Sequence, residues 1–302
     1  MKKHSSMALV VFAVCMVSYS GPMVKGALNE GASPISVALL RMLAAALLML
    51  PYEARQCVRR HIPMKLTPAQ WGLTALAAAF LAAHYITWIT SLTGTSTFAS
   101  VALVCTQPLF VAFFSYVLFR ERTPRRALPG ALLALLGAVT IALSGLSGQE
   151  AQATGQEALR SNLLALAGAV LMAAHWLAGR QIRQTLAAEV YTPVLYLITA
   201  ALLALCLPLS GGFRMPLSAL PYMAGLVIGS TLLGHAVFAY ALSGVSANVI
   251  SFALLGEPVG AMIFSMIFFG EVPTWPVALG GLLTLMGLAL YLAFAGGEKQ
   301  PA

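Results

Sequence analysis

Aspartate is missing from this 302-residue chain, and its acids are nine glutamates. Charged residues make up only 9%, against about a quarter in soluble domains, which excludes an ordinary water-solvated surface. The four cysteines, Cys15, Cys57, Cys105 and Cys206, are scattered and form no CxxC pair. Their spacing argues against a disulfide framework or a thiolate metal site and leaves them as packing residues. No HExxH or HxxxH spacing supports a metal, and no GxxxxGK[ST] stretch is present to cradle nucleotide phosphates. A net charge of +8 comes without a basic stripe interleaved with aromatics, so it does not point to a nucleic-acid partner.

What the chain has in abundance is apolar length. Hydrophobic residues reach 60% and the mean hydropathy is +0.87, the composition of a membrane protein. Windows of about 20 apolar residues, the length that crosses a bilayer, occur ten times, at 7–26, 35–52, 69–90, 96–119, 126–146, 161–181, 191–210, 219–242, 246–269 and 275–296. The first follows Lys2 and Lys3 like a signal peptide, but no small-residue cleavage site precedes Lys25, so it reads as a retained helix.

Basic residues orient the spans. With a cytoplasmic N-terminus, thirteen of the seventeen fall in inner segments: Lys2, Lys3, Arg55, Arg59, Arg60, Lys65, Arg120, Arg122, Arg125, Arg126, Arg180, Arg183 and Lys299. Only Lys25, Arg160 and Arg214 fall outside, and Arg41 lies within a span. The positive-inside rule therefore places both termini in the cytoplasm and the chain in the cytoplasmic membrane. The polar segment 147–160 is the outer linker between an N-terminal unit, 1–146, and a C-terminal unit, 161–302.

A shift of 150 residues lays 91–143 over 241–293 without a gap. Leu92, Gly94, Ser96, Pro108, Phe114, Ser115, Phe119, Glu121, Gly130 and Gly137 then meet Leu242, Gly244, Ser246, Pro258, Phe264, Ser265, Phe269, Glu271, Gly280 and Gly287. Five helices per half is an odd number, so the second half is inverted relative to the first. The fold class that results is an all-α membrane protein with ten transmembrane helices in two inverted five-helix repeats.

The repeat also pairs Gln107 with Glu257, each one residue before a proline, Pro108 or Pro258. Glu257 interrupts an apolar run from Val245 to Gly270 about twelve residues, or roughly 18 Å of helix, from either end. A carboxylate at that depth either pairs with a cation or takes up a proton, and intramembrane ionisable groups mark transport pathways by default. Packing glue between helices is the plainer alternative. Pro108 and Pro258 each remove a backbone donor and free a carbonyl near Val104 or Leu254.

Further polar and aromatic groups are candidates for the same cavity. The third span carries His84, Tyr85 and Trp88, with His84 and Trp88 on one helical face. His175 and Trp176 stand in the sixth span, and His235, Phe238 and Tyr240 in the eighth. Together they could cage a cationic or aromatic substrate, although a lone buried histidine is more often a packing residue. Arg41, seven residues beyond Pro34, either snorkels to the outer interface or faces the cavity, where it neutralises Glu257 or binds a carboxylate. Lys25 reads as interfacial. Glu121 and Glu271 end the fourth and ninth helices and terminate or bridge helices at opposite faces. Gly256 and Gly260 form a small-xxx-small pair that permits close helix approach.

These residues resemble the drug/metabolite transporter superfamily, in particular its ten-helix EamA-type permeases. The resemblance rests on a pattern that occurs twice, Pro108, Glu121, Gly130, Gly137 and Pro258, Glu271, Gly280, Gly287, with Arg41 at a position common in the family. SYSGPMVKGA (18–27) stands where the family has a tryptophan-containing stretch. The resemblance implies alternating access, frequent export of amino acids or related metabolites, and no ATP-binding domain.

The expected function is secondary transport of a small polar metabolite, an amino acid or an amine, by export through a midplane site. Glu257, Gln107, His84, Trp88, Tyr85, His175, Trp176, His235 and Arg41 are the candidate substrate-binding residues. No catalytic residue, metal or cofactor is expected. The partners are a small-molecule substrate, the lipid bilayer and the proton as a candidate coupling ion, and the chain serves as monomer or dimer. One alternative is a permease for carboxylated or phosphorylated anions held by Arg41 and Lys25. Another, an intramembrane enzyme, lacks a paired acid or nucleophile beside the histidines.

Overall fold

The computed structural model describes residues 3–121, 123–144, 155–234 and 255–295, and every regular element among them is helical. In chain order they are α1 (Lys3–Ser18), α2 (Ser20–Asn29), α3 (Pro34–Arg59), α4 (Pro68–Ser91), α5 (Thr97–Val104), α6 (Gln107–Phe119), α7 (Leu128–Ser144), α8 (Gly155–Ile182), α9 (Ala188–Leu205), α10 (Leu220–Ala224), a π-helical segment (Gly225–Gly234), α11 (Gly256–Phe269) and α12 (Trp275–Ala295). Nine helical stretches among the described residues are long and apolar enough to cross a membrane. The tenth, α11, is the described part of the expected span 246–269.

Helix starts follow local chemistry. Ser33 accepts the Ser36 N–H at 3.3 Å just before Pro34 opens α3. Thr67 and Gln70 form a reciprocal capping box before Pro68 opens α4, with bonds of 3.3 and 2.9 Å. Two helix ends display the repeat. After α6 and α11 the chain turns through a left-handed residue, Arg120 (φ 57°) or Gly270 (φ 65°), and Glu121 and Glu271 donate their N–H groups to Ser115 O and Ser265 O, both at 3.3 Å.

Three expected spans are less regular than their apolar patterns suggest. The first breaks at Tyr19 into α1 and α2 and runs on to Asn29, since Pro22 brings no N–H to the carbonyl one turn back. The fourth breaks at Cys105 and Thr106, just ahead of Gln107 and Pro108, into α5 and α6. The eighth passes through a 3₁₀ turn and α10 into ten residues of π-helix. The sixth starts at Gly155, inside the segment read as linker.

Packing is that of a bundle immersed in an apolar solvent. Along α7, Gly130, Ala134, Gly137, Ala138 and Ile141 are buried, while Leu132, Leu135, Leu136, Val139 and Leu143 face outward. Small residues inside and leucines outside suit a medium that gives no hydrophobic drive between helices. The seam between α7 and α12 is reciprocal. A Cβ on Gly130 would lie 2.7 Å from Gly287 O, and one on Gly287 would lie 2.7 Å from Gly130 O. Gly137 and Gly280 face each other's carbonyls in the same way, at 2.5 and 2.8 Å. The glycines that recur in the sequence therefore mark one pseudo-symmetric crossing between the halves.

Candidate functional site

Arg41 lies two turns into α3 and is 4% exposed. Its Nε donates to Thr231 Oγ1 at 3.1 Å and its Nη1 to Ser20 Oγ at 3.2 Å. The guanidinium carbon stands 5.1 Å from the Tyr85 ring centroid and 6.0 Å from that of Trp88, within cation–π range. Of the two readings of Arg41, the structure excludes snorkelling. Its charge is enclosed by α2 and α4 of the first half and the π-segment of the second.

The π-segment determines how Thr231 meets it. The Thr231 hydroxyl donates to Leu226 O at 3.1 Å, five residues back. A hydroxyl has one proton, so its remaining capacity is to accept, and it accepts from Arg41. Such π-turns are rare and gather at functional sites. Tyr196 of α9 also lies within electrostatic reach of Arg41.

Glu257 occupies the first turn of α11, where the unpaired N–H groups of a helix start favour negative charge. The residue is half-buried. It interacts electrostatically with Arg41 and with the Cys105 thiol, yet among the described residues it closes no ion pair and no hydrogen bond. The guanidinium and the carboxyl group are thus within electrostatic reach without a direct bond between them.

Gln107 holds the matching place in the first turn of α6, and its Oε1 is buried with no hydrogen-bond partner among the described residues. The paired polar residues read from the repeat are therefore both first-turn residues of the described helices α6 and α11. Transporter half-helices present their termini to ions and substrates in this way. The Ser18 and Ser230 hydroxyls and Trp88 Nε1 are also buried without a described partner. They stand on α1, the π-segment and α4. Gly260 brings α1 close, since a Cβ there would fall 2.6 Å from Ser18 Cβ, as the small-residue pair Gly256 and Gly260 led us to expect.

The remaining candidates separate. His84 stacks on Trp88 (5.8 Å, 13°) and lies 5.1 Å from the Tyr85 ring, with Nδ1 2.9 Å from Gly168 O. His175 sits 2.9 Å from Ala77 O, so the two histidines staple α4 to α8 from opposite sides. Trp176 is a correction: it is 58% exposed on the exterior of α8, because the neighbouring position takes the inward face. Lys25 is another. It is 6% exposed, enclosed by protein where an interfacial lysine would meet water, and bonded to carbonyls and to Glu271. His235, Phe238, Tyr240 and Leu254 lie outside the described residues.

Ser20 and Thr231, which accept from Arg41, are candidates the sequence reading passed over. Their signal was present: Ser230 and Thr231 form a polar pair in an apolar run, and Ser20 stands beside the Pro22 break.

Comparison with known proteins agrees with this architecture. Seventeen chains of known structure match. One, described only as "Crystal structure of protein", aligns with a TM-score of 0.63 at 19% identity over 98% of this chain and 100% of that one, a likeness of fold. The sequence matches none of the curated proteins. The model of the EamA-like transporter family matches twice, over residues 4–143 and 159–293. With one match to each five-helix half and nearly the full length covered, the chain belongs to the EamA-like transporter family.

Proposed function

We propose that the protein is a secondary transporter that exports a small polar metabolite, an amino acid or an amine, across the cytoplasmic membrane by rocking its two inverted halves about the Arg41–Glu257 centre. The observation that carries this reading is the unclosed pair of charges. A buried guanidinium and a half-buried carboxylate within electrostatic reach, neither neutralised by the other, suit a ligand with both signs. Arg41 has five N–H groups, of which two are used by Ser20 and Thr231. Those left can take a carboxylate in a planar fork, while Glu257 takes the ammonium or exchanges it for a proton. Gln107 supplies a further acceptor, and Tyr85, Trp88 and His84 form the wall.

The test begins with a thermal-shift panel of amino acids, polyamines, quaternary amines and sugar phosphates, since a ligand of the native form raises its stability. Flux of the best ligand is then measured in proteoliposomes. Glu257→Gln should abolish transport or its pH dependence in a protein that still folds. Unchanged and equally pH-dependent flux would refute the role of Glu257.

A second reading, transport of a carboxylated or phosphorylated anion, is favoured by one feature, that Arg41 lacks a carboxylate partner among the described residues. The engagement of Lys25 by Leu92, Thr95 and Glu271 weakens it, since one of its two cations is already used. Competition by anionic against zwitterionic ligands separates the two. The histidines considered for an intramembrane enzyme, His84 and His175, are bonded to backbone carbonyls.

A further inference from the structure

Lys25 stands near the end of α2, yet it is almost wholly enclosed. Its Nζ donates to Leu92 O at 2.7 Å and to Thr95 O at 3.4 Å, in the link between α4 and α5, and lies 3.9 Å from Glu271 Oε1. The second oxygen of Glu271 accepts the N–H of Thr97 at 3.1 Å, the first residue of α5. One ammonium with three donors therefore ties the first span, the α4–α5 link and the end of α11. The first two belong to one half of the molecule and the third to the other. An enclosed ammonium is costly unless its donors are met, and here two carbonyls and a carboxylate meet them only while these elements stay together.

The opposite end of the bundle is held differently. There the described polar contacts between halves, set beside a buried apolar seam that includes Cys57, Ile182, Leu186 and Val190, are Arg60 to Glu189 at 2.8 Å, Arg180 to Glu121 at 2.7 Å and Gln70 to Thr185 at 3.1 Å, all exposed. Water competes freely for each of those groups. Separation at the Lys25 end must hydrate a buried charge cluster, whereas the polar groups at the other end already meet water.

We propose that Lys25 and Glu271 form the extracytoplasmic latch of the transport cycle, which must open before the centre at Arg41 and Glu257 is reached from that side. This rests on the alternating-access reading above and on the orientation read from the basic residues.

Cys105 makes the test independent of substrate. It lies about 12 Å along α5 from Thr97 and within electrostatic reach of Glu257. With Cys15, Cys57 and Cys206 changed to serine, a membrane-impermeant maleimide is applied to right-side-out and inside-out vesicles. Lys25→Met should raise labelling of Cys105 from the extracytoplasmic side roughly tenfold, as expected when a closed state loses its bias. Lys25→Arg, which keeps the donors, should label as the parent does. Glu271→Gln keeps an acceptor for Thr97 but not the charge, and should act as Lys25→Met does; it decides the matter if Lys25→Met fails to fold. A folded variant with unchanged outer labelling overturns the latch, as does silence of both Cys105 and a second reporter, Gln107→Cys, in every background. A rise from the cytoplasmic side alone overturns the assignment to the outer face. Loss of the substrate reading, by normal flux in Glu257→Gln, would leave the labelling result intact.

Discussion

Charge in a poorly solvating medium governs the individual residues. Arg41 tolerates enclosure because two hydroxyls accept from it and two aromatic faces flank it. Arg41→Lys keeps the charge but loses the planar fork that reaches Ser20 and Thr231 together. It should raise KM for the ligand found by thermal shift by about tenfold or more, equal to roughly 1.4 kcal/mol of binding, and proteoliposome flux measures it. Trp88→Ala should weaken transport similarly, and Trp176→Ala should leave it unchanged, since one indole flanks Arg41 and the other faces outward. Outside the spans, hydrogen bonds from Arg180 hold the Glu121 carboxyl below the usual carboxylate range. A lowered folded pKa means that the pair stabilises the protein fully above the ordinary glutamate value and loses this as pH falls through the lower folded one. Because the pair is exposed, Glu121→Gln should cost no more than about 1 kcal/mol at neutral pH. The difference should vanish in acid, as thermal unfolding at two pH values would show.

Among the elements, breaks and close crossings matter more than regular helix. The interruption at Cys105 and Thr106 places Gln107 in the first turn of a new helix, where a continuous helix would have bonded its backbone and turned the site into packing. At the α7–α12 crossing, a methyl on Gly137 would collide with the Thr284 backbone nitrogen. Backbone cannot swing aside as a flexible side chain can, so Gly137→Ala should destabilise by about 1–3 kcal/mol. Gly72, on α4, has nothing within 4 Å of an added Cβ. Gly72→Ala should be neutral or stabilising by up to about 1 kcal/mol, and melting of both variants in one detergent provides the comparison.

For the whole molecule, the described polar contacts between halves at its two ends differ in chemistry, buried at Lys25 and exposed at Arg60, Gln70 and Glu121. Such an asymmetry suits a machine that rests closed on one side. The orientation we propose rests on the basic residues alone. Peptide tags added at both ends should be cleaved by protease in inside-out vesicles and protected in right-side-out ones. Protection of either tag in the inside-out vesicles would reverse the assignment of the latch.

The amino-acid sequence by itself determined the solvent, the approximate places of the spans, the inverted duplication and the equivalence of Gln107 with Glu257. Apolar length and a constant 150-residue offset are properties of order along the chain, legible before it folds. Which way a side chain points was decided only by tertiary structure. Arg41 could have snorkelled, Lys25 could have met water and Trp176 could have turned inward, since each choice depends on neighbours more than sixty residues away, such as Thr231 for Arg41 and Leu92 for Lys25. Helical periodicity says which positions share a face. Only packing supplies the carbonyls, hydroxyls and rings that make it possible to bury a charge in oil.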